Sequence, residues 1–467
     1  MATTVSLKPN AVELSGSTSG TTTLQATAVA GTTTITLPAA TDTLVGKATT
    51  DTLTNKTLTA PVISTISNTG TLTLPTSTDT LVGRATTDTL TNKTLTSPIL
   101  TTPALGTPAS GVMTNVTGIN YDGYKNRIIN GAMVIDQRNA GASVATSSSG
   151  AVVYTLDRWA YAVSQASKFT IQQTPSATET GYATRVGAGF TNYLACTVGA
   201  SANVTIGSSD YFLLRYKIEG FNTSDFSWGT SSAKTVTLSF WAYSSVTGTF
   251  GGAVTNATAT RAYPFTYTIN SASTWEQKTI TIAGDTSGTW VGATNGIGLQ
   301  LSFSLGMGST YSTTANAWAT GEYYSATGAS TPITTNSATF YITGVQLEKG
   351  STATSFDYRP YGTELQLCQR YYEQYLNQIA NGYVSVRTGS YYGNITWQVP
   401  KRAAPTILNY TSFNFAGFIG DINTVTSATF DNQQVNNTRF YANSVGPFTA
   451  QSAYIYVNGT LSISSEL

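Results

Sequence analysis

The stretch TLPAATDTLVGKATTDTLTNKTLTAPVI begins at Thr36 and is written again 37 residues later, from Thr73, as TLPTSTDTLVGRATTDTLTNKTLTSPIL. Asp42 aligns with Asp79, Gly46 with Gly83, Lys47 with Arg84, Asn55 with Asn92, and Pro61 with Pro98. Neither copy holds an aromatic residue, and the first in the whole chain is Tyr121. TITLP and TLTLP alternate with period two, and Leu53 and Leu58 flank an Asn-Lys turn. The branched Cβ of threonine fits a pleated ladder better than a helix. The apolar face is then only a thin row of Leu, Val and Ile. Repeat folds need about three stacked units to close a continuous core, and a lone ribbon would leave its leucines and strand edges in water. The expected solution is lateral, with identical chains wound together, Leu inward and Thr outward. Residues 20–118 read as an intertwined β shaft, the alternative being a Thr-rich linker. Pro103 and Pro108 make the end of this region, up to residue 120, an extended neck.

The totals narrow the rest. A chain of 467 residues is too long for one ordinary core. Charged residues make up 10% of it, against about 25% in an average soluble domain. With a net charge of +1, nothing draws it to nucleic acid or an anionic membrane. There is no histidine, which removes Ser-His-Asp triads, Cys-His pairs and His-based zinc sites together. The cysteines, Cys196 and Cys368, are expected to be buried free thiols rather than a disulfide framework. No metal or cofactor is expected. No secretory signal is visible at the N-terminus, and no apolar run is long enough to span a membrane.

Residues 121–361 carry about ten strand-like segments, among them VVYTLDRWAYAV, NYLACTV, YFLLRYKIEG, KTVTLSFWAYSS and ATFYITGVQLEKG, separated by Gly, Ser, Asn and Thr turns. GAMVIDQR reads as a further strand. This pattern without helices predicts a jelly-roll-type β-sandwich. In KTVTLSFWAY, Val236, Leu238, Phe240 and Ala242 fall on one face, and Thr235, Thr237, Ser239, Trp241 and Tyr243 on the other. The first is a core face; the second is polar with aromatics. A helix is predicted over 362–380, capped by Thr363 and ended by Gly382, with Leu365, Cys368, Tyr372, Leu376 and Ile379 as its apolar stripe. A small β domain follows over 381–467. The fold class is therefore all-β and elongated: shaft, sandwich, linking helix, C-terminal β tip.

TDTLTNKTLTSP resembles the shaft segments of tailed-bacteriophage tail fibres. RIINGAMVIDQRNAG, TLDRWAY, YPFTYTINSASTWEQKTITIAGDTSGTW and FYITGVQLEKGSTATSFDYRPYGTELQLCQRYYEQY resemble the carbohydrate-binding-module-like sandwich of many phage and prophage tail proteins. Together these cover most of residues 36–376; the resemblance does not extend to residues 380–467. The resemblance implies a homotrimeric virion fibre, assembled in the host cytoplasm, that attaches to host surface polysaccharide or lipopolysaccharide. Residues 1–19 would then dock to other tail or baseplate proteins, and no nucleic acid is an expected partner. The alternatives are a tail-spike depolymerase and a purely structural tail protein.

A glycan site needs flat apolar faces ringed by hydrogen-bonding groups. The long stretch from Gly306 to Pro332 offers Tyr311, Trp318, Tyr323 and Tyr324, whose other reading is packing of the loop onto the sandwich or a neighbouring chain. Tyr391, Tyr392 and Trp397 form a distal candidate, Trp397 having a core reading too. Trp159 and Trp275 are assigned to core. Catalysis would need carboxylates at a defined separation, and Asp136, Asp157, Glu219, Asp225, Glu276, Asp285 and Glu322 show no pairing in their spacing. GIGLQL has Leu301 where a dinucleotide fingerprint wants a third glycine. The expected function is thus binding without catalysis.

The full chain should sediment as a stable trimer, and deletion of residues 20–118 should shift it toward monomer. A monomeric full chain at micromolar concentration would refute the shaft.

Overall fold

The structure, a computed structural model, describes residues 5–8, 11–15, 19–25, 39, 57, 94, 96, 125–147, 150–175, 189–385, 390–410, 414–417, 422–431, 433–444 and 455–467. The chain divides into two units, residues 1–112 and 113–467. In the first, Val5–Lys8, Ala11–Ser15 and Thr21–Gln25 make an antiparallel three-stranded meander. The two copies of the repeat, and so the shaft reading, lie almost wholly outside the described residues.

The second unit is all-β with a single described α-helix. Its sandwich has a six-stranded sheet in the order Glu276–Ile282, Val236–Ser244, Thr339–Lys349, Asn192–Val198, Phe169–Pro175, Val144–Ala145. A seven-stranded sheet faces it, in the order Ala319–Thr320, Arg261–Ile269, Gly248–Thr255, Ile297–Met307, Tyr211–Glu219, Trp159–Val163, Val153–Leu156. The alternation seen in the sequence holds. Val236, Leu238, Phe240 and Ala242 are fully buried between the sheets, where Phe240 meets Tyr267 and Phe303 across the core at 5.0 Å each. Trp159 lies in the same core, its indole N–H donating to Asn130 O. Cys196 and Cys368 are free and buried.

The GAMVIDQR segment does not form a strand. Asn130 and Met133 have positive φ, and the Asn130 side chain takes the place of a ladder: it accepts from Ile135 N and donates to Ile135 O and Asp157 O. A side chain that bonds the local backbone in this way competes with sheet pairing.

The helix is shorter than its apolar stripe predicts. It runs Tyr361–Gln369, with Pro360 rather than Thr363 at its N-cap position. Tyr372–Ser385 is a strand, not the helix's second half. The same residues alternate as well as they spiral, and tertiary pairing decides. Tyr372–Ser385 pairs with Ile455–Ser464 on one side and Ser390–Thr396 on the other. From Ser390–Thr396 the pairing continues through Asn437–Ser444, Ile422–Asp431 and Asn414–Gly417 back to Ile455–Ser464. Six strands thus close on themselves, which removes exposed edges, and Thr406–Tyr410 pairs along the other end of Ile455–Ser464.

A buried polar cluster joins helix, barrel and sandwich. Arg158, 1% exposed, sits at positive φ in the two-residue turn between Val153–Leu156 and Trp159–Val163. Its guanidinium pairs with Glu466 and lies 3.6 Å from the centre of the Tyr371 ring. Arg138 reaches the other Glu466 oxygen at 3.0 Å. Glu219 accepts from Arg370 at 2.6 Å and from the Tyr371 hydroxyl at 2.6 Å. Beside the same turn, burial pushes the Asp157 carboxyl up to about 7, against the field of Arg138 and two bonds from Gln137.

Two outcomes follow from this cluster. Glu466→Gln leaves a buried cation without its counter-charge and should cost about 3–5 kcal/mol of unfolding free energy, read by denaturant titration; an unchanged midpoint would contradict the account. Asp157 binds its proton more tightly folded than unfolded, so its stabilising contribution is complete below about pH 4 and is lost as pH rises through about 7. Asp157→Asn should therefore show a smaller loss of stability than the wild type between about pH 5 and pH 8, and equal losses would argue against a buried acid.

Candidate functional site

The two outward sheet faces differ. The stretch from Gly306 to Pro332 is stitched onto the outside of the seven-stranded sheet: Asn316 N donates to Pro264 O, Ser330 N to Thr249 O, and Ala319–Thr320 joins the sheet edge. Gly251 is glycine because Ser325 sits on it; a Cβ there would come within 2.2 Å of Ser325 Oγ. Tyr324 is buried, its ring against Arg215 at 4.5 Å and its hydroxyl on Glu322 at 2.6 Å. Tyr311 is half-buried between Tyr211 and Tyr324, and Tyr323 is half-buried against Gly321.

Trp318 belongs to a second group. It packs with Trp228, Trp290 and Tyr263 at 5.2–5.5 Å. All three indole N–H groups bond within the chain: Trp318 to Ala283 O, Trp228 to Lys234 O, and Trp290 to Asp285 and Ser287 O. Arg261 holds Asp285 with a bidentate pair at 2.9 and 2.7 Å. The cavity beside Trp228 and Trp290 has about 50 Å3 of room, well below the roughly 300–1,000 Å3 of ligand pockets. These rings are packing. Trp397 is 4% exposed and its indole N–H donates to Gln434 O, so it too is core. The side chains of Tyr391 and Tyr392 lie outside the described residues.

The outside of the six-stranded sheet is built otherwise. At one end residues 350–357 cover it. Thr237 Oγ1 donates to Gly350 O, Thr354 N to Glu348, and Asp357 N to Gln346 Oε1. At the other end stands a quartet of rings. Tyr243 and Tyr341 face each other across adjacent strands, stacked at 4.8 Å and 7°. Tyr193 lies 5.0 Å from Tyr341, and Trp275 closes the group at 5.6 Å from Tyr243 and 5.5 Å from Tyr193. Tyr193 is buried beneath; Tyr243, Tyr341 and Trp275 are part-exposed. Trp241 stands on the same face opposite Gln277. Trp275, assigned above to core, instead stands part-exposed on the outer face. It precedes the edge strand Glu276–Ile282, whose register sets Gln277 and Thr279 outside and Ile280 inside, and Trp275 falls with the outer set.

The quartet's polar tips separate it from the packing rings. Neither the Tyr243 hydroxyl nor the Trp275 and Trp241 indole N–H groups has a hydrogen-bond partner among the described residues. Part-exposed rings with unspent donors can lie against a ligand's C–H surface and hydrogen-bond it at once. The sequence showed Tyr243 and Trp241 on a polar face but not that Trp275, Tyr341 and Tyr193 converge there. Only the FYITG alternation pointed to Tyr341.

A cleft of about 280 Å3 lies elsewhere, walled by Phe190, Phe356 and Tyr358. Its charged residues are engaged: Arg359 bonds Glu364 and Ile128 O. Phe190 and Tyr358 have further partners.

Each acid named in the sequence is likewise occupied. Asp136 accepts from Asn139 N and Gly141 N, Asp157 from Gln137, Glu219 from Arg370, Asp225 from Arg127 and Lys349, Glu276 from Lys278, Asp285 from Arg261, and Glu322 from Tyr324. No group of three or more metal-ligating side chains occurs among the described residues, and no described helix is long and apolar enough to cross a membrane.

No protein-family model and no curated protein matches the chain. Among solved structures it is similar to the enzymatically active domain of bacteriophage CBA120 tailspike protein 4, at 10% identity and TM-score 0.24, over 49% of this chain and 22% of that one. This chain thus spans under a quarter of that neighbour's length. It is also similar to the family 11 carbohydrate-binding module of Clostridium thermocellum, solved with a mixed-linked tetrasaccharide, at 10% identity and TM-score 0.22, over 45% of this chain and 100% of that one. TmCBM61, solved with β-1,4-galactotriose, is similar at 9% identity and TM-score 0.21, over 41% and 88%.

The packing assignment makes a prediction. Trp318→Ala, which removes a half-buried ring and its N–H bond to Ala283 O from the three-tryptophan cluster, should lower stability by about 1–3 kcal/mol. Trp275→Ala, whose indole N–H has no partner among the described residues, should lower it less. Denaturant melts of the two variants in parallel would show it, and equal costs would place Trp275 in the core after all.

Proposed function

We propose that this chain is the subunit of a homotrimeric tailed-phage tail fibre whose sandwich binds host-surface carbohydrate without cleaving it. The observation that carries the binding half is the part-exposed surface of Tyr243, Tyr341 and Trp275, on which the Tyr243 hydroxyl and the Trp275 indole N–H are unspent among the described residues. A sugar offers C–H faces to the rings and hydroxyls to the donors. Binding rather than hydrolysis is favoured because the named acids serve as local ion pairs and turn bonds in separate parts of the chain, whereas paired-carboxylate cleavage needs two carboxyls facing one site at a set separation. The Thr-rich repeat, too poor in apolar residues to close alone, supports the trimer and the fibre. In this reading residues 1–19 attach to the tail, the distal barrel and the sandwich face the host, and the protein resides in the virion.

Retention of the full chain on host envelope polysaccharide tests the reading. Tyr243→Ala and Trp275→Ala should each weaken retention about tenfold, by analogy with the 1–3 kcal/mol lost with one stacking ring, while leaving the trimer intact. Release of reducing ends from that polysaccharide by the wild type would refute the non-enzymatic part.

A further inference from the structure

Among the described residues, the face that carries the aromatic quartet is almost without charge. Its outward positions in the four strands around the quartet are Trp241, Tyr243, Gln277, Thr279, Tyr341 and Thr197, with other Thr, Ser and Ala residues between them. The acid on this face, Glu348, is 3% exposed and already accepts from Thr354 N, Thr354 Oγ1 and Gln346 Nε2 beneath residues 350–357. The ions nearest Trp275 in sequence are Glu276 and Lys278. They sit on the opposite side of their strand, in register with Ala242 and Phe240, and pair with each other at 2.5 Å. Asn270 and Ser271 take up the remaining acceptor capacity of Glu276. Among the described residues, then, no unspent cation or anion borders the quartet.

An acidic glycan laid on such a face would give up hydration of its carboxylates and gain no counter-charge, and an unpaired ion removed from water is costly. An uncharged glycan loses nothing of this kind, and its hydroxyls meet the free Tyr243 and Trp275 donors. We infer that the quartet selects an uncharged glycan chain, so that the protein reads neutral saccharide units rather than acidic capsule. This rests on the carbohydrate reading of the same surface and narrows it. A corollary is insensitivity to salt, because screening acts on charge pairs that this contact does not contain.

The test applies the full chain and its Tyr243→Ala variant to immobilised neutral polysaccharides (mannan, dextran, mixed-linkage glucan, a neutral O-chain lipopolysaccharide) and acidic ones (polygalacturonate, polysialate). Binding is read at about 20 mM and about 500 mM NaCl. The expected result is retention on at least one neutral polymer, changed less than about twofold by salt and lost in Tyr243→Ala, with no Tyr243-dependent retention on acidic polymers. Retention on acidic polymers alone, lost in Tyr243→Ala and weakened by salt, would overturn the neutral assignment while leaving the site standing. Retention that Tyr243→Ala leaves unchanged, or none on any polymer, would overturn the carbohydrate reading of this face itself.

Discussion

A guanidinium shut away from water must find its counter-charge close by, and that requirement organises the larger unit. Arg158 is 1% exposed in a tight turn of the sandwich, and the acid that answers it, Glu466, comes from 308 residues further along the chain. Between them lie Tyr371, stacked on the guanidinium, and Arg370, clamped on Glu219. The end of the helix, the first barrel strand and the residues after the last barrel strand are thereby tied to one turn. Replacing such a cluster by apolar side chains could be neutral in energy, but it would lose the geometric pairing that sets where the barrel begins.

With those ties made, the sandwich has two outer faces and two different coverings. The loop from Gly306 to Pro332 spends its aromatic residues on the seven-stranded sheet, and the segment after Lys349 spends its backbone on half of the six-stranded one. What is left over is the quartet. The free donors there contrast with the tryptophans at the sandwich end, each of which has used its N–H on the chain itself. Aromatic content alone does not separate a ligand surface from a core; the fate of the polar tip does.

Much of this was legible in the sequence, and the misses have physical causes. Period-two alternation put Phe240 inside and Tyr243 outside because successive side chains on a strand point to opposite faces. It failed for Trp275, which stands just before an edge strand, where pattern gives no register. It failed at Tyr372, Leu376 and Ile379, whose spacing suits a helix; strand pairing on both sides outweighed a local preference worth only tenths of a kcal/mol per residue. GAMVIDQR alternates like a strand, but the Asn130 amide took the backbone bonds a neighbour would have supplied. For the loop candidates, composition identified a long aromatic-rich connection but could not say which way its rings turned.

By itself the sequence determined the all-β class, the inward and outward sets of the strand Val236–Ser244, and the absence of any histidine chemistry. These follow from alternation and composition, which are local or additive quantities. Tertiary structure alone decided which aromatic residues meet, which of them keep a free donor, and where the helix gives way to strand. Those depend on contacts between residues far apart in the chain, such as Tyr193 with Trp275 or Arg158 with Glu466, and no short-range pattern encodes the distance between two side chains that folding brings together.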